Sequence, residues 1–220
     1  MTAPLPHGLS DAAFNQALTA LRAAVGSQWV LDADADRQSY LDPYALGDGL
    51  DHDCAAIVAP ASVEEVQAVV RIANQFKVPL WPVGRGKNLG YGAASPAQKG
   101  DVILDLSRMN RILDVDVKQA NCLLEPGVGY FDLFRHLQEK QLPLWMSVPG
   151  NSWGSVVGNA LDRGIGYTPY GDHCEQLCGL EVVLPDGSLV RTGMGAMDGS
   201  ATWQSYKYGY GPSWDQMFMQ

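Results

Sequence analysis

The chain has 220 residues, enough for one large domain or two small ones. Its apolar fraction of 46% argues against wholesale disorder, whereas 18% charged residues, 24 glycines and 13 prolines indicate a loop-rich fold. A net charge of −9 argues against electrostatic binding of nucleic acid. Neither a membrane span of ~20 apolar residues nor a signal peptide is visible, so we expect a cytoplasmic protein without a membrane partner.

The N-terminal quarter combines one predicted helix with an irregular lead-in. Ser10 is a candidate N-cap, and the apolar residues after it fall on one helical stripe, which predicts a helix over 10–25. The acidic segment 31–53, which contains Tyr40-Leu41-Asp42-Pro43-Tyr44, shows no informative periodicity. We therefore expect a lead-in over 1–53 and one domain over 54–220.

From Cys54 onward, strand and helix patterns alternate. A short apolar strand at 55–59, a helix opened by the capping box at Ser62 to Glu65, and a strand at 77–83 form a strand–helix–strand unit. Further predicted elements are strands at 102–106, 111–115 and 121–125, a helix over 130–141 with Phe131, Phe134 and Leu137 on one face, and strands at 180–184 and 188–192. The Asp186-Gly187 pair between the last two strands predicts a hairpin.

The four cysteines do not read as a disulfide framework. Cys174 and Cys178 lie next to His173, but the sequence offers no second ligand pair at metal-like spacing. We therefore predict no metal site, and buried free thiols at Cys54, Cys122, Cys174 and Cys178.

A glycine-rich segment, Gly84-Arg85-Gly86-Lys87-Asn88-Leu89-Gly90-Tyr91-Gly92, directly follows a predicted strand. It lacks the spacing of a Walker A loop, and Leu89 stands where a Rossmann fingerprint needs its third glycine. Successive backbone N–H groups in such a loop can bind an anion, and two basic side chains add positive charge. From composition alone, a pyrophosphate-binding loop and a plain glycine-rich turn both stay open.

A second glycine-rich region runs from Pro149 to His173 and contains six glycines. Small residues here leave room for a flat ring or for another stretch of backbone. A wandering surface loop is the alternative, although Val156, Val157, Leu161 and Ile165 favour burial.

The ordered series of motifs resembles the FAD-binding domain of the vanillyl-alcohol oxidase and p-cresol methylhydroxylase family. The resemblance rests on W-P-V-G-R-G-K-N-L-G-Y-G, L-L-E-P-G-V, V-G-N-A-L-D-R-G-I-G-Y-T-P-Y-G-D-H and V-V-L-P-D-G, and extends from about Ala55 to Gln220. It implies an α+β fold of two α/β subdomains, with mixed sheets flanked by helices. The aromatic-rich end from Trp203 to Gln220 suggests the N-terminal part of a longer protein that lacks its substrate cap.

The resemblance also implies a set of residues that contact FAD. Backbone N–H groups of the first glycine-rich loop would hold the pyrophosphate, and the second region would pass along the flavin. The candidate FAD contacts are Arg85, Gly86, Lys87, Asn88, Leu89, Gly90, Pro149, Gly150, Gly154, Ser155, Gly158, Asn159, Gly164 and Tyr167. Pro126 and Gly127 would form a structural turn.

Tyr91 and Tyr167 match the tyrosines that hold a phenolic oxygen in this family, which makes them the candidate catalytic residues. Hydroxyl donors in a dry pocket favour the phenolate, from which a hydride leaves the benzylic carbon for flavin N5 to give a quinone methide that is then hydrated. Vanillyl-alcohol oxidases carry an Asp near N5, where this sequence has Gly150 followed by Asn151. The family's phenolate-binding Arg and its covalent FAD attachment would lie beyond Gln220.

These features predict an FAD-dependent oxidoreductase of 4-alkylphenols and 4-hydroxybenzylic alcohols, similar to a hydroxylating 4-cresol dehydrogenase. The electron acceptor is either a c-type cytochrome, which would permit a periplasmic location, or dioxygen as in vanillyl-alcohol and eugenol oxidases. An oxidase of hydroxy acids or sugars with the same fold, and a degenerate nucleotide-binding module, are the competing hypotheses. Relatives suggest a homodimer.

Overall fold

The computed structural model describes residues 3–150, 152–193, 197, 199–200 and 214–219. Asn151 and most of the aromatic-rich segment from Trp203 onward lie outside these described residues. The chain divides into two compact units, one formed by 1–109 with 185–188 and the other by 110–184 with 189–220.

The first unit contains three helices and a four-stranded sheet. Helix α1 (Asp11–Val25) begins where the Ser10 hydroxyl accepts the Ala13 N–H, which confirms the predicted cap. Helix α3 (Val63–Phe76) begins at Ser62, whose hydroxyl accepts the Glu65 N–H, while the Glu65 carboxylate accepts the Ala61 N–H at 2.7 Å. The other elements are β1 (Val30–Leu31), α2 (Asp34–Gln38), β2 (Ala56–Val58), β3 (Leu80–Val83) and β4 (Val102–Asp105).

The strand order of this sheet is β1-β2-β4-β3. The predicted strand–helix–strand unit β2-α3-β3 is present, but β2 and β3 do not pair with each other. Both run parallel to β4, which lies between them. Because all residues of β2 and β4 are buried, the centre of the sheet is the core of this unit.

The lead-in over residues 1–53 packs within the first unit. Strand β1 pairs antiparallel with β2, and Leu31 and Tyr40 pack against the core cluster that includes Ile57 and Ile103. The first compact unit therefore includes both the lead-in and residues 54–109.

The described residues of the second unit form two antiparallel strand pairs and two α-helices. Strands β5 (Ile112–Asp116) and β6 (Asn121–Leu124) pair with each other, as do β7 (Glu181–Val183) and β8 (Leu189–Arg191), which confirms the predicted hairpin. Helices α4 (Tyr130–Glu139) and α5 (Val156–Leu161) lie between these pairs in the chain. Among the described residues, no helix is both long enough and apolar enough to cross a membrane.

The buried face of α4 differs from the predicted one. Tyr130, Leu133 and Leu137 are buried, whereas Phe131 and Phe134 are 42% and 50% exposed. Leu133 and Leu137 share a cluster with Val128 and with apolar residues of β5 and β6. The two stripes are adjacent on a helix, so periodicity alone did not decide which one faces the core.

Candidate cofactor and substrate site

The glycine-rich loop after β3 adopts a conformation that depends on glycine at several positions. Gly86, Gly90 and Gly92 have φ values of +60°, +82° and +101°, a region that other residues rarely adopt. A Cβ atom on Gly86 would lie 2.5 Å from the Cβ of the buried Ala94, so the loop passes close to the core at this point. At Gly90 and Gly92 a Cβ would meet nothing within 4 Å.

The two ends of this loop present different chemistry. Arg85 and Lys87 bring two positive charges to the first half, and the loop is exposed from Lys87 to Gly92. In the second half, the N–H groups of Gly90 and Gly92 donate to one carboxylate oxygen of Asp42 at 3.0 and 2.9 Å. The Gly90 N–H, which we expected to face a pyrophosphate, is therefore occupied by an acceptor within the chain.

In the second unit, a turn and a helix start position the region that we expected to follow the flavin. Ser155 caps α5 by accepting the Gly158 N–H at 2.8 Å and donates its hydroxyl proton to the Pro126 carbonyl at 2.5 Å. Backbone hydrogen bonds join Tyr130 to Gly154 and Val156 to Val128. The Ser155 side chain is buried and serves this junction, so Ser155 could contact a ligand only through its backbone.

Two glycines of the second region have opposite surroundings. A Cβ on Gly150 would meet nothing within 4 Å, whereas a Cβ on Gly164 would overlap the Asn159 side-chain amide. The apolar residues expected to be buried here are only partly so: Ile165 is 71% exposed, and Val156, Val157 and Leu161 are half-buried. Glycine at position 164 therefore lets the Asn159 side chain pack against the backbone, whereas Gly150 faces open space.

A buried polar network that the sequence did not reveal holds the Asn159 side chain. The Asn159 Oδ1 accepts from the Tyr130 hydroxyl at 3.0 Å and lies 2.5 Å from His173 Nδ1. Because this oxygen can only accept, His173 carries its proton on Nδ1, and its Nε2 accepts from the Ser147 hydroxyl at 3.0 Å. Burial lowers the pKa of His173, with partial compensation from Asp172, and thereby favours the neutral ring, whose Nε2 is the acceptor for Ser147.

This network leaves the Asn159 side-chain NH2 group as the part of the amide directed at other partners. Within the described ranges, Asn159 Nδ2 makes no hydrogen bond, and a Cβ on Gly164 would overlap it. An amide whose oxygen is held by two groups offers two fixed N–H donors on the other side. Sequence reasoning had considered His173 only as a metal ligand.

The two candidate catalytic tyrosines lie on the surface of their units. The side chains of Tyr91 and Tyr167 are 85% and 90% exposed. We expected their hydroxyl groups to line a dry pocket, but the residues that the structure describes within each unit do not enclose them. A dry pocket around either hydroxyl would therefore need groups other than the described residues of its own unit to exclude water.

The cysteines are free thiols, of which Cys54 and Cys174 are buried and Cys122 and Cys178 are half-buried. Cys174 donates to Asp172, and Arg163 donates to its sulfur. Across the described part of the chain, no group of three His, Cys, Asp or Glu residues is arranged to hold a metal ion.

Comparison with known proteins decides what these loops belong to. A family model described as "FAD binding domain" matches residues 54–193, which is more than half of the chain. The chain belongs to the FAD-binding domain family. This match covers both glycine-rich regions and confirms FAD as the cofactor predicted from the sequence.

Individual relatives confirm the predicted resemblance. The chain is 43% identical over 219 residues to the 4-cresol dehydrogenase [hydroxylating] flavoprotein subunit of Pseudomonas putida, covering 99% of this chain and 42% of that protein. Among solved structures, a p-cresol methylhydroxylase with substrate bound matches with a TM-score of 0.96 and 43% identity, over 99% of this chain and 42% of the other. A 4-ethylphenol oxidase from Gulosibacter chungangensis matches with a TM-score of 0.94 and 41% identity, over 98% and 41%.

These matches confirm the fold as α+β and of the p-cresol methylhydroxylase type. The chain spans about two fifths of the length of the relatives that it matches. The FAD-binding fold is therefore a property of this chain.

The residues present fit FAD in three respects. The first half of the glycine-rich loop combines a tight turn at Gly86 with the positive charges of Arg85 and Lys87, which suits a pyrophosphate. The open space beside Gly150, which a larger side chain would fill, can take up part of the cofactor. The fixed Asn159 amide suits a ring system that carries hydrogen-bond acceptors.

Proposed function

We propose that this chain is the FAD-binding part of an oxidoreductase that acts on 4-alkylphenols and 4-hydroxybenzylic alcohols. The proposal rests on the pairing of an FAD-binding fold with two exposed tyrosines, each in a glycine-rich segment, and on 43% identity to a 4-cresol dehydrogenase subunit. Bound FAD would supply the hydride acceptor. A hydroxy acid or a sugar has no phenolic oxygen for tyrosine hydroxyls to hold, so these substrates are less suited to the site.

We assign to Tyr91 and Tyr167 the binding of the phenolic oxygen. A phenol has a pKa near ~10, so at neutral pH it reaches the electron-rich phenolate form only if the site stabilises the anion. Each hydroxyl donates a hydrogen bond that is stronger to a phenolate than to a phenol, which favours loss of the phenolic proton. Since both hydroxyls are exposed here, we propose that further polypeptide of the intact protein excludes water from them.

Other residues of the chain would hold FAD rather than the substrate. Arg85, Gly86, Lys87, Asn88 and Leu89 would bind the pyrophosphate through N–H groups and charge, whereas Gly90 takes part through loop shape because Asp42 uses its N–H. The flavin contacts would be provided by Pro149, Gly150, Gly154, Gly158, Asn159 and Gly164, with Ser155 shaping the start of α5. Gly150 carries no carboxylate, so hydration of the oxidised substrate falls to other groups.

The test compares Tyr91→Phe with Tyr170→Phe in the intact protein loaded with FAD. Tyr170 is also exposed, at 70%, and lies in the same glycine-rich region as Tyr167, so it controls for loss of a surface hydroxyl. We expect Tyr91→Phe to lower kcat/KM for 4-methylphenol by about 10- to 100-fold, the loss of a hydrogen bond to a charged group, with FAD content unchanged. Equal loss of FAD content and turnover would contradict the assignment, and Tyr170→Phe should change neither.

We further propose a c-type cytochrome as the electron acceptor and a homodimer as the assembled form, as the resemblance to p-cresol methylhydroxylase implies. The 41% identity to a 4-ethylphenol oxidase makes dioxygen the specific alternative. Stopped-flow reoxidation of the reduced protein, by dioxygen and by a c-type cytochrome in parallel, separates the two. Faster reoxidation by dioxygen would overturn the dehydrogenase assignment and leave the phenol chemistry intact.

A further inference from the structure

We propose that Asp42 is a positioning residue for Tyr91, because it holds the backbone of the two glycines that flank this tyrosine. The inference rests on the proposed function, in which Tyr91 binds the phenolic oxygen. Asp42 lies in the irregular lead-in, 48 residues from Gly90 and 50 from Gly92, in a segment to which neither the family resemblance nor the proposed chemistry assigned a role.

The Asp42 carboxylate accepts three backbone N–H groups. Its Oδ2 accepts from Gly90 and Gly92 at 3.0 and 2.9 Å, and its Oδ1 accepts from Tyr44 at 3.0 Å. Only 8% of the residue is exposed. These backbone donors hold the pKa of Asp42 below its usual range against the opposing effect of burial, so the group is an anion and the hydrogen bonds are charge-assisted.

These contacts fix Tyr91 through its backbone. The Tyr91 N–H donates to the Asn88 carbonyl at 3.1 Å, so the N–H groups of three consecutive residues all have acceptors within the same unit. The Tyr91 side chain is 85% exposed, and packing within the unit therefore does little to orient it. The φ and ψ angles of the loop set the direction of the Tyr91 Cα–Cβ bond and so the region that its hydroxyl can reach, and Asp42 restrains this backbone on both sides.

Asp42 is itself anchored to the sheet. Its N–H donates to the Ser95 hydroxyl at 3.0 Å, and the Ser95 N–H donates to the Gly92 carbonyl at 2.8 Å. Two residues before Asp42, the Tyr40 hydroxyl donates to Asp105 at the end of β4 at 2.6 Å. The Ser95 hydroxyl also donates to the Tyr40 carbonyl at 3.2 Å, so hydrogen bonds and the short chain segment 40–42 together join β4 to the residues beside Tyr91.

The charge of Asp42 separates this role from cofactor binding. A buried carboxylate on the N–H groups of Gly90 and Gly92 would repel a pyrophosphate placed there. The positive side chains lie instead at Arg85 and Lys87, in the other half of the loop. We therefore assign the first half of the loop to FAD and the second half to Tyr91.

The test is Asp42→Asn in the intact FAD-loaded protein, with Asp48→Asn as the matched control. Both substitutions remove one carboxylate charge, but Asp48 is exposed and, among the residues that the structure describes, accepts only the Leu50 N–H two residues away. Two quantities are measured: the Kd of FAD for the apoprotein of each variant, and the Kd of 4-methylphenol from the concentration dependence of the rate of flavin reduction in anaerobic stopped-flow experiments with the FAD-loaded protein. We expect Asp42→Asn to raise the Kd of 4-methylphenol by at least 10-fold and that of FAD by less than 3-fold, and Asp48→Asn to change neither.

Coupling to Tyr91 distinguishes positioning from a general structural role. In a Tyr91→Phe background, Asp42→Asn should raise the Kd of 4-methylphenol by less than 2-fold further, because the hydroxyl that Asp42 positions is gone. Additive effects of the two substitutions, or parallel loss of FAD and phenol binding, would overturn the proposal. Tyr40→Phe keeps the ring in the core and should raise the Kd of 4-methylphenol by about 2- to 5-fold with FAD binding unchanged; no change would also overturn it.

The same measurements separate this inference from the proposed function. Tight binding of 4-methylphenol by both the parent protein and Asp42→Asn would refute the role of Asp42 and leave the phenol chemistry standing. Failure of the parent protein to bind any 4-alkylphenol would refute both.

Discussion

Replacing Gly86 with Ala should damage the glycine-rich loop more than the same change at Gly90 or Gly92. Gly86 combines a φ of +60° with a position where a Cβ would lie 2.5 Å from the Ala94 Cβ and 3.3 Å from its Cα. Ala94 is 5% exposed and belongs to the core cluster of the first unit, so it cannot move aside without disturbing that core.

Two costs add at this position. A left-handed backbone costs an L-residue about 1–2 kcal/mol relative to glycine. Inserting a methyl group into a packed site costs a further ~1–3 kcal/mol. Gly86→Ala should therefore lower the free energy of unfolding by about 2–5 kcal/mol, a large part of the ~5–15 kcal/mol of a typical domain.

Urea unfolding of the intact protein and the Kd of FAD for the apoprotein measure the two consequences. Gly90→Ala is the matched control, since its φ is +82° but a Cβ there meets nothing within 4 Å, so only the backbone cost of about 1–2 kcal/mol applies. Adding Ala94→Gly to Gly86→Ala removes the second methyl group and should restore part of the stability and of the FAD affinity. If Gly86→Ala costs no more than Gly90→Ala, or if Ala94→Gly gives no rescue, the close approach does not limit this loop.

Two further predictions concern buried titratable groups. Burial lowers the pKa of His173 below 6.5, so on acidification the side chain protonates in the unfolded chain before it does in the fold. The free energy of unfolding should therefore fall as the pH drops below about 6.5, by up to ~1.4 kcal/mol per pH unit. Urea titrations between pH 7 and 5.5 measure this pH dependence, and His173→Gln should remove the part that His173 contributes. An unchanged slope would show that His173 already protonates in the native state. Burial also raises the pKa of Cys54 to about 12 and that of Cys122 to about 11. Neither thiol should therefore react with iodoacetamide at pH 8 until the chain is unfolded. Peptide mass spectra that show rapid labelling of the native protein would refute this.

Local features of the fold followed from the sequence because they depend on residues close together in the chain. Ser10 and Ser62 cap helices as predicted, since a hydroxyl three residues before a free N–H needs no tertiary partner to act. The hairpin at Asp186-Gly187 also follows from local chemistry: Gly187 has a φ of +82°, and Asp186 accepts the Ser188 N–H.

Pairing and burial were harder to predict because they depend on distant residues. Strand β4 lies between β2 and β3, and the residues with which it pairs in both parallel ladders are more than twenty positions away in the chain. On α4, two adjacent apolar stripes were equally compatible with the sequence, and packing against β5 and β6 buried the stripe of Leu133 and Leu137.

The candidate site shows the same division. The glycine-rich segments, the basic side chains and the two tyrosines were visible in the sequence, because motifs with special backbone requirements can be recognised from residue type and spacing alone. The partners that shape them were not: Asp42 reaches Gly90 and Gly92 across 48 and 50 residues, and His173 reaches Asn159 and Ser147 across 14 and 26.

The sequence by itself thus determined the cofactor class, the helix starts, the hairpin and the loops that can approach a ligand. Only the tertiary structure decided that Asp42 occupies one half of the first loop and that a neutral His173 fixes the Asn159 amide. The physical reason is that a buried carboxylate or imidazole is tolerated only where several donors and acceptors meet, and folding brings those groups together from separate parts of the chain.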